Sequence, residues 1–260
     1  MKKINNITII GSGNVATQLG VKLFDCGFKI DGIYSENQKS AEILARKIAA
    51  KFIHKTDQLP QNSDLYLVAL KDDHYLKTLK EFDLNNKLIV HTSGSLNSEN
   101  LNSTSSRWGC LYPLQSINKA QKTKWENVTF FIEANKENDH ENLIELCKSL
   151  QLNYRKANSK QRKKIHIAAV ATNNFTYHLL STIRSYCEQN EIDYNDFKHL
   201  LNLSVLNSYE SEAFSLQTGP AIRKDTHLIG EHLNLLENNK NLKEIYELFT
   251  KQITNQHHEL

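Results

Sequence analysis

No stretch of this chain approaches the roughly 20 consecutive apolar residues that a membrane-spanning helix requires, so a bilayer-spanning protein is not expected. Its four cysteines, Cys26, Cys110, Cys147 and Cys187, lie far apart and form no C-x-x-C. That spacing suggests neither a zinc site nor a disulfide framework, and a reducing cytoplasm is the simplest setting. Charge of one sign is missing too: the formal net charge is +3 over 260 residues, too little to argue for nucleic-acid or membrane surfaces as partners. The one basic cluster, Lys160-Gln161-Arg162-Lys163-Lys164, reads as the solvated start of a helix. No internal repeat or low-complexity tract stands out beyond a richness in Asn and Lys. Met1-Lys2-Lys3 precedes an apolar run that stops at Gly11 without a cleavage-type site, so it is read as leading into a strand and not as a targeting segment.

What remains is a globular composition, 39% apolar and 23% charged, long enough for one large domain or two modest ones. The most informative stretch comes first. Asn6-Ile7-Thr8-Ile9-Ile10 meets Gly11-Ser12-Gly13-Asn14-Val15-Ala16, and an amphipathic run from Thr17 to Cys26 follows. This predicts a strand, a tight turn and a helix. In such a G-x-G-x-x-A turn, the first glycine permits the sharp bend and the second lets a pyrophosphate approach the backbone. The alanine lets the helix pack closely on the strand. The free N–H groups of the helix start would face the phosphates. The alternative is a purely structural strand-to-helix turn.

The alternation continues. Strands are expected over Phe28–Tyr34, Asp64–Leu70 and Lys87–Val90, with helices over Ser40–Lys51 and His74–Phe82 between them. Shorter strands near 109–111, 128–132 and 152–155 flank a helix over His140–Leu150. Such a pattern predicts a parallel, doubly wound sheet. From about residue 158 only long helical stretches remain, near 160–190, 194–215, 226–237 and 241–256, with Gly219-Pro220 and Gly230 as the strong breakers. The expected organisation is therefore an α/β Rossmann-like dinucleotide-binding domain over residues 1–157. An all-α domain for substrate and dimer contacts is expected over 158–260.

At the end of the second strand, Glu36 facing the ribose would favour NAD. Ser35 facing it, with Lys39 closing over the pocket, would suit the 2′-phosphate of NADP. The ends of open α/β strands form a ligand crevice, which places Ala69 and Leu70, and then His91, Thr92 and Ser93, among the expected coenzyme contacts. The Thr92-Ser93 hydroxyls could equally cap a following helix. Tyr112-Pro113-Leu114-Gln115 could bring a phenol and an amide to the same crevice, or serve packing alone. In the helical half, His166, Val170, Asn173 and Tyr177 share a face if the helix is regular. His166 is either a structural residue or an acid. Asn173 and Asn174 are harder to explain by packing, since each buried amide needs partners. Arg223, in Thr218-Gly219-Pro220-Ala221-Ile222-Arg223-Lys224-Asp225, offers a planar fork for a carboxylate, and Asp225 could cap the next helix.

Together, Gly11–Ala16, Ala69–Asp73, His91–Gly94, Tyr112–Gln115, His166–Asn174 and Thr218–Asp225 resemble a family of Rossmann-like NADP oxidoreductases. Its C-terminal domain was formerly of unknown function, and some members are regarded as alternative ketopantoate reductases. The architecture is similar to that of 6-phosphogluconate dehydrogenase and of the pyrroline-carboxylate and ketopantoate reductases. The resemblance implies an NADP cofactor, NAD being the other possibility, with Gly11, Ser12, Gly13, Asn14 and Val15 on the coenzyme. It also implies a small 2-keto acid substrate, 2-dehydropantoate in pantothenate biosynthesis being the best single guess. A homodimer is expected separately, because the helical half carries too much apolar surface for a small lone bundle. An imine reductase or a non-catalytic NADP-binding sensor is the alternative. His166 would protonate the alkoxide, Asn173 or Asn174 would orient the carbonyl, and Arg223 or the Thr92-Ser93 loop would hold the carboxylate. No metal is implied. Three positions depart from the pattern: Val170 stands where related dehydrogenases carry a catalytic Lys, Glu36 where NADP binders often carry Arg, and Lys71 where Pro is usual.

Overall fold

A computed structural model describes residues 3–82 and 84–258. Met1 and Lys2, which entered the targeting argument, lie outside them. The chain divides into two compact units, one running to Val170 and the other from Ala171 onward.

The first unit is built on one eight-stranded sheet. Its strands are β1 (Asn6–Ile10), β2 (Lys29–Tyr34), β3 (Lys51–Ile53), β4 (Leu65–Val68), β5 (Leu88–His91), β6 (Arg107–Pro113), β7 (Thr129–Ala134) and β8 (Asn153–Lys156). Their spatial order is β3-β2-β1-β4-β5-β6-β7-β8. Every neighbouring pair is parallel except β6 and β7. The doubly wound sheet read from the sequence is the sheet observed.

Parallel strands covered on both faces need apolar side chains pointing both ways, and successive residues supply them. Leu65 and Leu67 of β4 join one core with Ile7, Ile9, Leu88 and Val90. Tyr66 and Val68 join the core on the other face with Ile10, Ile89 and Trp108. Thr8, the buried polar residue of β1, bonds Ser63 at 2.8 Å, and Ser63 in turn donates to Asp31. Helix α1 (Asn14–Asp25) buries Ala16, Leu19, Gly20 and Leu23, the i, i+3, i+4, i+7 stripe of a helix packed on a sheet. Asn37 caps α2 (Gln38–Lys47) by accepting from the Ser40 amide.

Helices α3 (Tyr75–Leu79), α4 (Glu137–Ser149) and α5 (Ser159–Ala169) complete the unit. The strand–helix alternation ends with β8, but α5 still belongs to this unit. Its start is fixed by a capping box: the Asn158 side chain accepts from the Gln161 amide and the Gln161 side chain accepts from the Asn158 amide. A third, small core formed by Cys110, Tyr112, Phe131 and Ala157 takes Ile165 of α5.

The second unit is helical: α6 (Thr176–Gln189), α7 (Lys198–Glu210), the short α8 (Pro220–Arg223), α9 (Thr226–Leu235) and α10 (Lys240–His258). The single helix expected over 160–190 is interrupted by a π turn, Val170–Phe175. A π turn carries one extra residue and breaks the 3.6 period. The face shared by His166, Val170, Asn173 and Tyr177 in a regular helix therefore does not persist through it. Asp225 caps α9 by accepting from the Leu228 amide, the capping reading of that residue. Helix α7 buries no residue at all, leaving Leu200, Leu203, Leu206 and Tyr209 exposed. No helix of the described residues is long and apolar enough to cross a membrane.

Candidate active site

The glycine turn sits at the carboxyl end of β1, in the middle of the sheet. Gly11 has φ +117° and donates to the Tyr34 carbonyl at 2.7 Å. A Cβ there would lie 2.2 Å from the Ala69 carbonyl oxygen, so the turn and the end of β4 are pressed together, and Ala69 with Leu70 forms one wall. Gly13 is the opposite case. It precedes α1 as N-cap with no side chain reaching the first turn, and a Cβ there would meet nothing within 4 Å. The result is an open strip of backbone beside the first turn of α1, whose leading amides have no intrahelical partner, and this fits a dinucleotide pyrophosphate. Asn14 and Val15 begin the helix behind it, and the Asn14 side chain accepts from the Lys119 amide.

Beside this strip, the Ser12 hydroxyl bonds Ser35 at 2.9 Å and Ser40 at 2.7 Å. Lys39 is exposed in the same helix turn as Ser40. Glu36 turns the other way, accepting from the Thr78 hydroxyl at 3.3 Å with His74 at 3.7 Å. Of the two registers left open by the sequence, the geometry has Ser35 on the side of the glycine turn.

A second group gathers at the carboxyl ends of β5 and β6. His166, one turn before the end of α5, approaches Tyr112 with Nδ1 3.2 Å from the phenolic oxygen and the rings edge to face at 76°. They meet over Gly94, where a Cβ would lie 2.7 Å from His166 Nδ1 and 2.8 Å from Tyr112 Cζ. Only a glycine leaves room for the pair. Tyr112 is 8% exposed and stacks on Phe131. Burial raises its phenol above the usual range, the neighbouring Cys110 adding to the effect and Arg162 opposing it, so it stays protonated at neutral pH.

The strongest polar cluster was not foreseen. Arg162, read as solvated with its lysine neighbours, is fully buried and is the largest such side chain among the described residues. Its guanidinium donates to Glu133 Oε2 at 2.6 Å, the Ser93 carbonyl at 3.1 Å, the Leu96 carbonyl at 2.5 Å, Ser98 Oγ at 3.0 Å and Ser159 Oγ at 3.2 Å. Burial alone would raise the Glu133 carboxyl. Hydrogen bonds from Arg162, Ser98 and Ser159, with the Arg162 charge, outweigh it and hold that carboxyl below its usual range. The local signal is spacing alone: Arg162 lies four residues before His166, on the same side of the helix.

His91 belongs to this cluster. It is fully buried, with Nε2 2.8 Å from Ser98 Oγ and Nδ1 accepting from the Ser93 amide. Burial, then the Arg162 charge, lowers its pKa to about 3. Its ring reaches no surface, so its effect on any ligand passes through the loop it holds. Thr92 and Ser93 are similarly committed. The Thr92 amide donates to the Tyr75 phenolic oxygen at 3.3 Å. The Ser93 hydroxyl accepts from the amides of Ser95 and Leu96, a local turn in place of the helix cap weighed from the sequence.

Asn173, Asn174 and Arg223 lie in the second unit. The asparagines fall within the π turn, a type of irregularity frequent at functional sites. Asn173 carries a buried side-chain oxygen without a protein partner. Arg223 is exposed at the end of α8, just before Lys224 with its left-handed backbone.

Residues 6–94 match a family described as NADP oxidoreductase, coenzyme F420-dependent, and residues 128–253 match a domain of unknown function, DUF2520. Among solved structures, BF3122 of Bacteroides fragilis, designated an NADP oxidoreductase, is 32% identical with a TM-score of 0.87, over 96% of this chain and 98% of that one. The chain belongs to this NADP oxidoreductase family. More distant neighbours share the fold. An imine reductase from Myxococcus stipitatus in complex with NADP+ is 13% identical, with TM-score 0.71 over 95% of this chain and 92% of that one. A pyrroline-5-carboxylate reductase from Coxiella burnetii is 16% identical, with TM-score 0.58 over 99% and 98%. No curated protein matches the sequence. For an NADP oxidoreductase, Gly11 to Val15 would hold the pyrophosphate, and the Ser12, Ser35 and Ser40 hydroxyls with Lys39 would face the 2′-phosphate.

Proposed function

We propose that this NADP oxidoreductase reduces a small 2-keto acid, with 2-dehydropantoate the first substrate to assay, and that His166 supplies the proton. The observation that carries the reading is the His166–Tyr112 pair over Gly94, at the end of the sheet where open α/β folds bind ligands. Bound NADPH would supply the hydride to the keto carbon. The alkoxide that results needs a proton from the protein, and a hydrogen-bonded imidazole is suited to give it.

The chemistry assigns each partner a different task. Because burial keeps Tyr112 protonated, its phenol is a poor proton source and a good hydrogen-bond anchor. With Nδ1 held by the phenolic oxygen, His166 exchanges its proton through Nε2. After the transfer, the neutral Nδ1–H tautomer keeps its bond to Tyr112, so the ring does not have to reorient. Val170, the position at which related dehydrogenases carry Lys, has no proton to give, which leaves His166 one turn earlier as the donor. By their chemistry, the amides of Asn173 or Asn174 suit the orienting of a carbonyl and the Arg223 fork suits a carboxylate.

Oxidation of NADPH and NADH by purified protein, against 2-dehydropantoate, a panel of keto acids and a panel of cyclic imines, tests the proposal. Preferred turnover of keto acids supports it. Preferred turnover of imines would replace it with an imine reductase of the pyrroline-5-carboxylate reductase type, in which a pre-protonated substrate makes a strong acid unnecessary. NADPH binding without turnover of either panel would leave a sensor. The proposal includes a homodimer, supported by the apolar residues that α7 leaves exposed, Leu200, Leu203, Leu206 and Tyr209. Sedimentation equilibrium at micromolar concentration should give twice the chain mass, and a monomer would contradict the dimer.

A further inference from the structure

We propose that Arg162 is a positioning residue that sets the distance between His166 and Tyr112 by holding the main chain on both sides of Gly94. The inference rests on the reductase reading for its catalytic consequence, though not for its geometry. The guanidinium is fully buried, and it spends its donors on the carbonyls of Ser93 and Leu96, which bracket Gly94, as well as on Glu133, Ser98 and Ser159. Three pieces of chain are thereby tied at one point: the loop after β5, the edge of β7 and the first turn of α5.

A buried ion pair is rarely the most stable way to fill such a space, since apolar replacements are often neutral or better. What an apolar residue cannot do is fix two loop carbonyls. The rigid guanidinium plane aims Nε at the Ser93 carbonyl, Nη1 at the carboxylate and Nη2 at the Leu96 carbonyl, with the two N–H groups of Nη2 shared with the Ser98 and Ser159 hydroxyls. His166 follows Arg162 by four residues on the same helix face, so the anchor that places the loop also places the helix turn carrying the imidazole. Gly94 lies between the two, and the clearance there is small enough that a Cβ would already collide with both rings. A shift of the loop therefore changes the His166–Tyr112 hydrogen bond directly.

Arg162→Lys retains the charge beside Glu133 and loses the fork. The decisive measurement is the imidazole resonance set of His166 in long-range 1H–15N spectra of the full-length protein, compared among wild type, Arg162→Lys and Tyr112→Phe. The expected result is that Arg162→Lys moves the His166 signals toward those of Tyr112→Phe. NADPH affinity, followed by fluorescence, should stay within about 3-fold, because the glycine turn is untouched. Turnover should fall about 100-fold with little change in the KM for NADPH, the scale expected when a reacting group is misplaced by about 1 Å. His166 signals identical to wild type in Arg162→Lys would overturn the proposal whatever the turnover. If that variant does not fold, Ser159→Ala, which removes one hydroxyl from the cluster, should move the same signals by a smaller amount in the same direction. Unmoved signals there would overturn it equally. If wild type reduces no substrate, the reductase reading fails while the spectra still decide the positioning.

Discussion

Replacing Gly94 with alanine isolates the His166–Tyr112 pair from the rest of the site. The added methyl carbon would sit 2.7 Å from His166 Nδ1, 2.8 Å from Tyr112 Cζ and 2.9 Å from His166 Cγ. Ordinary carbon contacts lie near 3.5–4.0 Å, so about 1 Å of movement is required. Tyr112 is 8% exposed and stacked on Phe131, whereas His166 is half-buried, so the imidazole is the part that yields. A hydrogen bond of 3.2 Å lengthened by that amount leaves bonding range. Overpacking of this kind costs about 1–3 kcal/mol, which lowers Tm by roughly 2–4 °C for each kcal/mol in a chain of this size. Misplacement of the proton donor should cost about 100-fold in kcat. The assay combines steady-state NADPH oxidation with a thermal melt on one preparation. A Gly94→Ala protein with wild-type kcat would refute the assignment of the pair to the chemistry. A lowered Tm alone would show only that the space is tight.

The two glycines of the first turn should separate folding from binding. Gly11→Ala, at positive φ and 2.2 Å from a carbonyl oxygen, should destabilise the fold by several kcal/mol, visible as reduced soluble yield and Tm. Gly13→Ala meets no protein atom and should keep its Tm while raising the KM for NADPH by about 10-fold or more; unchanged KM would remove the pyrophosphate from that strip. His166→Ala should lower kcat by at least about 100-fold, and Tyr112→Phe by less, measured at saturating NADPH. Acid sensitivity follows from His91. Its folded pKa, about 3, lies below the unfolded value of roughly 6.5. The unfolded chain thus binds the extra proton between those values, and stability is complete above pH 6.5 and lost progressively as pH falls toward 3. At about 1.4 kcal/mol per unit, the loss amounts to several kcal/mol, and denaturant melts of His91→Asn across pH 4–7 should show a flatter dependence.

How much of this was legible in the sequence depends on whether the information is local. The strand–turn–helix at Gly11 to Ala16 is written in adjacent residues, because a positive φ, a small packing residue and a β-branched run each leave a mark in the chain. The apolar character of the buried strands carries through to β7 for the same reason, while β8 at the sheet edge buries no residue. The Asn158–Gln161 capping box is equally local, but it fixes only where α5 begins and not which face it buries. A run of Lys and Arg looks solvated because burial of one member is decided by Glu133, which lies 29 positions earlier, and no periodicity carries that pairing. The π turn is invisible for a related reason. Val170-Ala171-Thr172-Asn173-Asn174-Phe175 has no breaker, and nothing in its composition marks the extra residue.

The same reasoning explains why the departure at Val170 and the cluster around Arg162 belong together. A lysine donor needs only a flexible stem and a neighbour to steady it, so a site using one places few demands on the loop opposite. An imidazole donor is short and rigid, and its tautomer must be fixed by a partner on the far nitrogen. In the proposed reading that partner is Tyr112, on a different strand, so helix and sheet have to be held in register to within a few tenths of an ångström. Glycine at position 94 removes the steric obstacle but adds no restraint and loosens the main chain. The carbonyls on either side then require an anchor with several directed donors, which a buried arginine supplies and an apolar core residue cannot. If the lysine were restored by Val170→Lys in a His166→Ala background, the demand on Arg162 should relax. Arg162→Lys should then reduce turnover much less than it does in the wild type. Equal losses in the two backgrounds would show that Arg162 serves the fold in general and not the imidazole in particular.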